Sequence, residues 1–301
     1  MNRIPSPLAM FFLFVALLAT ALLAAAVFSP LVFFAIEIFP LHRIFNRIAM
    51  LVFLVGTYFL VRRMPFANRR TLGYGAPVAG FLKAAITGYS IGICLLGLTA
   101  ALLFNLGVRR WAPQFAHPMA LVFDLLPGAA FTGIAVGLIE ETFFRGAMYG
   151  ALRQRGTVTQ AVFLSSILYA AVHFVGEKFR IPPAQVDLRS GFVLLAHFFR
   201  AYAQPLAIFD AFVALTLVGA LLAIVRERLG HIGASLGLHA GFVTVIDCLR
   251  RASTPVFDNS WSFLIGTQDG LVGWLVAGMA AGALLVAIAW PRAKRSSIGL
   301  D

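Results

Sequence analysis

Apolar residues fill this chain in long runs separated by short clusters of charge, and the run lengths define the elements. A helix needs about twenty apolar residues to cross the hydrocarbon core of a bilayer. Residues 8–28 form such a run and predict a first span, with 31–39 extending it or lying at the interface and Glu37 set against Arg43. Residues 44–61 predict a second span. The third, 83–106, carries Gly88, Gly92 and Gly97, which suit close helix packing. Between the second and third lies the densest basic loop, with Arg62, Arg63, Arg69, Arg70 and Lys83 punctuated by Pro65 and Gly73. Residues 109–124, with Trp111 and two prolines, read as an amphipathic connector at the membrane interface. A fourth span covers 125–152 and a fifth 159–175. The stretch 191–202 is too short to span and is interrupted by His197 and Arg200, so it reads as interfacial or re-entrant. Residues 205–225, 231–248 and 270–290 complete a set of eight. The expected fold is an all-α polytopic transmembrane bundle.

Composition supports that class. The chain is 60% hydrophobic and 12% charged, with a mean hydropathy of +0.90, whereas soluble domains are about one-quarter charged. The formal net charge of +12 does not call for nucleic acid, because the basic residues sit in short loops and at the ends, where they meet lipid headgroups. Residues 8–28 outrun the usual signal-peptide core of about 7–15 residues, so they read as a retained helix. Cys94 and Cys248 both lie in apolar stretches and imply no disulfide framework. Eight spans put both termini on one side. That side holds 13 Lys and Arg, including Arg153, Arg155, Arg226, Arg228, Arg292, Lys294 and Arg295, against 10 on the other. The positive-inside rule then predicts a cytoplasmic N-terminus. Arginine outnumbers lysine 21 to 3, which suggests a GC-rich bacterial genome and so the inner (plasma) membrane.

Within the fourth span the run L-I-E-E-T-F-F-R-G places two carboxylates and an arginine at membrane depth. Each such group is costly there, and intramembrane ionisable residues are functional candidates by default. Glu141 and Arg145 are four apart and stack on one helix face, where they can pair. Glu140 lies about 100° away around the helix and is left free for chemistry. In the fifth span His173 follows Tyr169 by one turn, and in the seventh His239 sits among small residues. A lone histidine in a helix is more often a satisfied core group than a catalyst. Counted from the face of the Arg153 and Arg226 loops, however, Glu140, His173 and His239 lie at similar depths of about 14–21 Å. One carboxylate and two imidazoles in one cavity can activate a water and polarise a carbonyl.

These residues resemble the CPBP intramembrane proteases, a family that includes CAAX prenyl endopeptidases and bacteriocin-immunity or Abi-type proteins. Its pattern is E-E-x-x-x-R, then aromatic-x-x-x-H, then H-x-x-x-N. Here the pattern reads Glu140-Glu141…Arg145, Tyr169…His173 and His239…Val243, and it covers about residues 125–248. The resemblance implies that Glu140 and His173 activate the attacking water and that His239 stabilises the oxyanion. Glu141 and Arg145 would form a structural pair, with spans four, five and seven carrying the site. It divides the chain into N-terminal helices and connector (1–124), a catalytic core (125–250), and a last helix with a basic tail (251–301). Val243 departs from the pattern, since valine cannot donate to an oxyanion as asparagine does, and loss of one such donor costs about 10²–10³ in rate. Thr244 and Asp247 lie near but are expected to point off that face. A carboxylate with two histidines also matches a catalytic zinc set, in which Glu140, His173 and His239 would be the ligands. A zinc ligand does not readily double as the base, and the metal-free version is preferred.

The expected function is therefore an endopeptidase cutting a membrane-associated peptide or protein, with lipid as its surroundings and no nucleic-acid partner. The alternative is a catalytically silent binding or immunity factor of the same fold, which Val243 favours. A transporter with a proton-relay carboxylate would predict broken helices or paired repeats, and the sequence has neither.

Overall fold

The computed structural model describes residues 5–36, 38–64, 67–113, 124–176, 179–267 and 269–290. Glu37, Pro65 and the basic tail fall outside them, as does most of the expected interfacial connector. The chain is an all-α membrane helix bundle. Its helices are α1 (Pro7–Ile36), α2 (Leu41–Arg62), α3 (Val78–Asn105), α4 (Leu126–Glu141), α5 (Val158–Val172), α6 (Ser190–Phe198), α7 (Pro205–Leu229), α8 (Gly233–Ala252) and α9 (Trp274–Ala289). Helix α4 runs on through a π-helical stretch, Thr142–Met148, and a last turn, Tyr149–Leu152. Among the described residues α1, α2, α3 and α7 are long and apolar enough to cross a membrane unaided, while α5 and α9 are apolar but shorter. Helix α8 is largely buried in the bundle, whereas α4 packs through one face and leaves Phe131, Ile134 and Leu138 exposed on the other.

Glycine determines how α8 is held. Gly88 and Gly92 of α3 meet the backbone of α8 at Ala234 and Leu238, and Gly237 and Gly241 of α8 meet the backbone of α3 at Ala85 and Tyr89. A Cβ at any of these positions would collide with the facing main chain. On its other side α8 takes Gly133 and Gly137 of α4, again against main chain. With little hydrophobic drive between helices in lipid, such small-residue contacts supply the dispersion that binds them. Gly97, expected to act likewise, faces open space.

Each membrane face has its own tie. On the face of the basic loops, Arg226 donates from Nε to the Arg145 carbonyl (2.9 Å) and from Nη2 to the Thr71 carbonyl (2.7 Å). There Glu227 accepts from the Tyr149 hydroxyl (2.8 Å) and pairs with Arg153 (3.2 Å). On the opposite face, Arg109–Trp111 (β1) pairs antiparallel with Ser253–Pro255 (β2). The pairing holds the first residues of the expected connector in extended backbone. Arg109 is buried and donates to Ser253 Oγ and to the carbonyls of Leu249, Ser253 and Gly270, so it caps the end of α8. Burial lowers the pKa of its guanidinium from the ordinary value.

Helix α1 extends unbroken to Ile36, absorbing most of the 31–39 stretch. Helix α5 ends at Val172, short of the expected 175, so His173 is its C-terminal cap rather than an interior residue. The short α6 packs on α1, with Gly191 against the Ala26 carbonyl, and Phe198 stacks edge-on with Phe45. It thus lies against the bundle without spanning it.

Candidate active site

Glu141 is fully buried and Arg145 nearly so, and their ion pair of 3.0 Å is the one expected from four-residue spacing. The π-helical turn that follows holds Arg145 so that Nη2 also donates to the Gly219 carbonyl of α7 at 3.0 Å. Its guanidinium lies 4.5 Å from the centre of the Tyr169 ring and 5.6 Å from that of Phe144. An arginine enclosed by a carboxylate, a carbonyl and two aromatic faces is anchored on three helices, which is how a π-turn at a functional position is commonly used.

Glu141 has a second partner that its sequence neighbours do not reveal. Its Oε1 lies 3.1 Å from His239 Nδ1. A carboxylate accepts hydrogen bonds, so Nδ1 carries the proton and Nε2 is turned the other way. There it faces Glu140 Oε2 at 3.8 Å and the Tyr169 hydroxyl at 3.5 Å. Protonated on both nitrogens, His239 becomes a cation between two carboxylates, with Nε2–H directed into the cavity.

His173 is oriented in the same fashion. Its Nδ1 lies 2.6 Å from the Tyr169 carbonyl, one turn back on α5. That oxygen is an acceptor only, so Nδ1–H donates to it and the neutral ring presents an unprotonated Nε2. Glu140 is about one-third exposed, and its buried Oε2 has no hydrogen-bond partner among the described residues. Glu140, Tyr169, His173, His239 and Val243 all line one cavity of about 420 Å³. The sequence-derived trio is therefore brought together, by three different helices.

The cavity also reaches Asp247, Arg250 and Asp269, at the α8 end held by Arg109. Arg250 lies about 16 Å along α8 from His239 at 1.5 Å per residue. Arg250 pairs there with Asp269 (3.0 Å) and Arg251 with Asp247 (2.6 Å). Asp247 thus faces the cavity, contrary to the expectation that it points away. It sits two turns beyond His239, a register that returns near the same face. Thr244 behaves as expected and is turned from the cavity, bonding the Ala240 carbonyl and the Tyr89 hydroxyl. A smaller crevice of about 180 Å³, lined by Leu18, Phe53, Phe143 and Leu168, approaches Glu140 from the side of α1 and α2.

Residues 122–245 match the family described as type II CAAX prenyl endopeptidase, Rce1-like. That segment is thus similar to the CAAX-type endopeptidases. This CAAX-type match holds the double glutamate, Arg145, both histidines and Val243, and leaves α1–α3 and α9 outside it. No curated protein and no solved structure gives a significant match to the chain. As to zinc, no three His, Cys, Asp or Glu side chains among the described residues converge closely enough to hold an ion. The arrangement does not fit a metal site as it stands.

Proposed function

We propose that the chain is an intramembrane endopeptidase that hydrolyses a peptide bond with a water activated by Glu140. The observation that carries this reading is the convergence of an uncommitted carboxylate and two pre-oriented imidazoles in one cavity. Glu140 takes a proton from the water while His173 Nε2 orients it, and the water oxygen attacks the carbonyl carbon. The carbonyl electrons move onto oxygen, and the charge is met by Nε2–H of His239 in its doubly protonated form, whose Nδ1–H is held by Glu141. Collapse expels the amine, which takes the proton from Glu140. The smaller apolar crevice suits a substrate segment that arrives within the lipid, in keeping with a membrane-associated peptide or protein.

The basic-loop face is read as cytoplasmic and the membrane as a bacterial inner membrane. Because the cavity leads to the Arg250–Asp269 end, its mouth then faces away from the cytoplasm. The test is a comparison of membrane-peptide termini in cells making wild-type protein or Glu140→Gln. Peptides that depend on wild type alone support the peptidase. An unchanged peptide set, with the wild-type phenotype kept by Glu140→Gln, would favour the second reading, a silent binding factor. Val243 in the cavity wall is the observation behind that alternative.

A further inference from the structure

Resting on the endopeptidase reading, we infer that Tyr169 is a catalytic residue whose hydroxyl donates to the oxyanion, in the role that Val243 cannot fill. A tetrahedral oxyanion is best held by two donors, and His239 Nε2–H supplies one. Val243 contributes only methyl groups to the cavity wall. The other polar side chains lining the cavity are committed elsewhere. Thr132 bonds the Gly128 carbonyl, and Asp247, Arg250 and Asp269 form ion pairs at the far end. Glu140 and His173 act on the water. That leaves the phenol of Tyr169.

Its position suits the task. The ring is buried and held on every side, with Arg145 over one face at 4.5 Å, Phe144 edge-on at 5.2 Å and His173 at 4.5 Å. The ring therefore cannot swing, and the hydroxyl has a fixed place 3.5 Å from His239 Nε2. That separation is long for a hydrogen bond between the two, but two donors so spaced can both reach a single oxygen set between them. Among the described residues the hydroxyl has no other hydrogen-bond partner, although burying a phenol without a good hydrogen bond is unfavourable. A phenylalanine would fill the same space and keep the contact with Arg145 without that penalty. The hydroxyl is thus better explained by a ligand oxygen than by packing.

Tyr169→Phe tests this, with Tyr169→Phe/Val243→Asn as its partner. Both would be reconstituted in liposomes with the best-cleaved member of a panel of lipid-anchored fluorogenic peptides, beside wild type and Glu140→Gln. The expected result is a fall of about 10²–10³ in kcat for Tyr169→Phe with KM and the detergent melting temperature unchanged, because the donor acts only on transition-state charge. Adding Val243→Asn should restore most of that loss, whereas in wild type it should change kcat by only a few-fold. A peptidyl phosphonate, which mimics the tetrahedral anion, should bind Tyr169→Phe more weakly than wild type. Wild-type kcat and phosphonate affinity in Tyr169→Phe would overturn the hydroxyl's role alone. Cleavage by wild type no faster than by Glu140→Gln would instead bring down the endopeptidase reading itself.

Discussion

Two polar clusters flank the π-helical stretch Thr142–Met148 that continues α4, and they are built on opposite terms. The cluster of Tyr149, Arg153, Arg226 and Glu227 bonds side chain to side chain and side chain to main chain, and none of its buried side-chain polar atoms lacks a hydrogen-bond partner. The cluster of Glu140, His173 and His239 keeps atoms in reserve: one glutamate oxygen has no hydrogen-bond partner among the described residues, and each imidazole has one nitrogen tied and the other facing the cavity. Both put costly groups within the bundle. A satisfied network rigidifies what surrounds it, whereas native proteins seldom leave a buried polar atom unpartnered without a use for it. The contrast separates architecture from chemistry within one helix. Glu141 belongs to both, since it anchors Arg145 and fixes the His239 ring.

The sharpest way to break this contrast is at the paired glutamates. Glu140→Gln is expected to lower kcat by about 10²–10⁴, the usual contribution of a general base, with the melting temperature unchanged. Glu141→Gln should act through structure first. It leaves Arg145 buried beside an amide, at a cost of about 3–5 kcal/mol, and frees His239 to turn. Melting in detergent and cleavage, measured on the two variants, should therefore order them oppositely. If the two behave alike in both assays, the division between reserve and anchor is wrong.

Smaller effects should sharpen the other side. Glu227→Gln weakens the contacts of Tyr149 and Arg153 and should cost about 1–3 kcal/mol while leaving kcat within a few-fold for the protein that remains folded. A large kcat loss at full stability would instead make that cluster part of the chemistry. Arg109→Met strips the cap from α8 and leaves buried carbonyls unsatisfied, again for about 1–3 kcal/mol. The measurable sign would be faster proteolysis near Ser253 than near Thr71. The smallest effect is expected from chelation: EDTA or phenanthroline should leave turnover of a metal-free mechanism unchanged, and restoration by zinc after a loss would reverse that expectation. For orientation, cysteines placed at Arg155 and Arg228 should resist an impermeant thiol reagent in intact cells. A cysteine at Asp258, beyond β2, should react with it.

Much of this molecule was legible in one dimension. Run length and composition determined an all-α membrane bundle, because a bilayer admits few other ways to satisfy a backbone in hydrocarbon. Four-residue spacing determined the Glu141–Arg145 pair, since a helix and its π-turn both keep those side chains on one side. The residue types at Glu140, His173 and His239, together with their depths, marked the groups that meet. What the sequence left open depends on contacts between distant segments. Only the fold decided that Glu141 also grips His239, which is 98 residues away. The strand at Arg109 exists because Ser253–Pro255 comes to meet it, and no local period records such a partner. Asp247 faces the cavity, and Gly88 and Gly92 but not Gly97 take a helix, because the crossing of α3 and α8 chooses which face is covered. Local spacing governs what a helix presents; the packing of other helices governs what each presented group touches, and in this protein the chemistry proposed rests on the second.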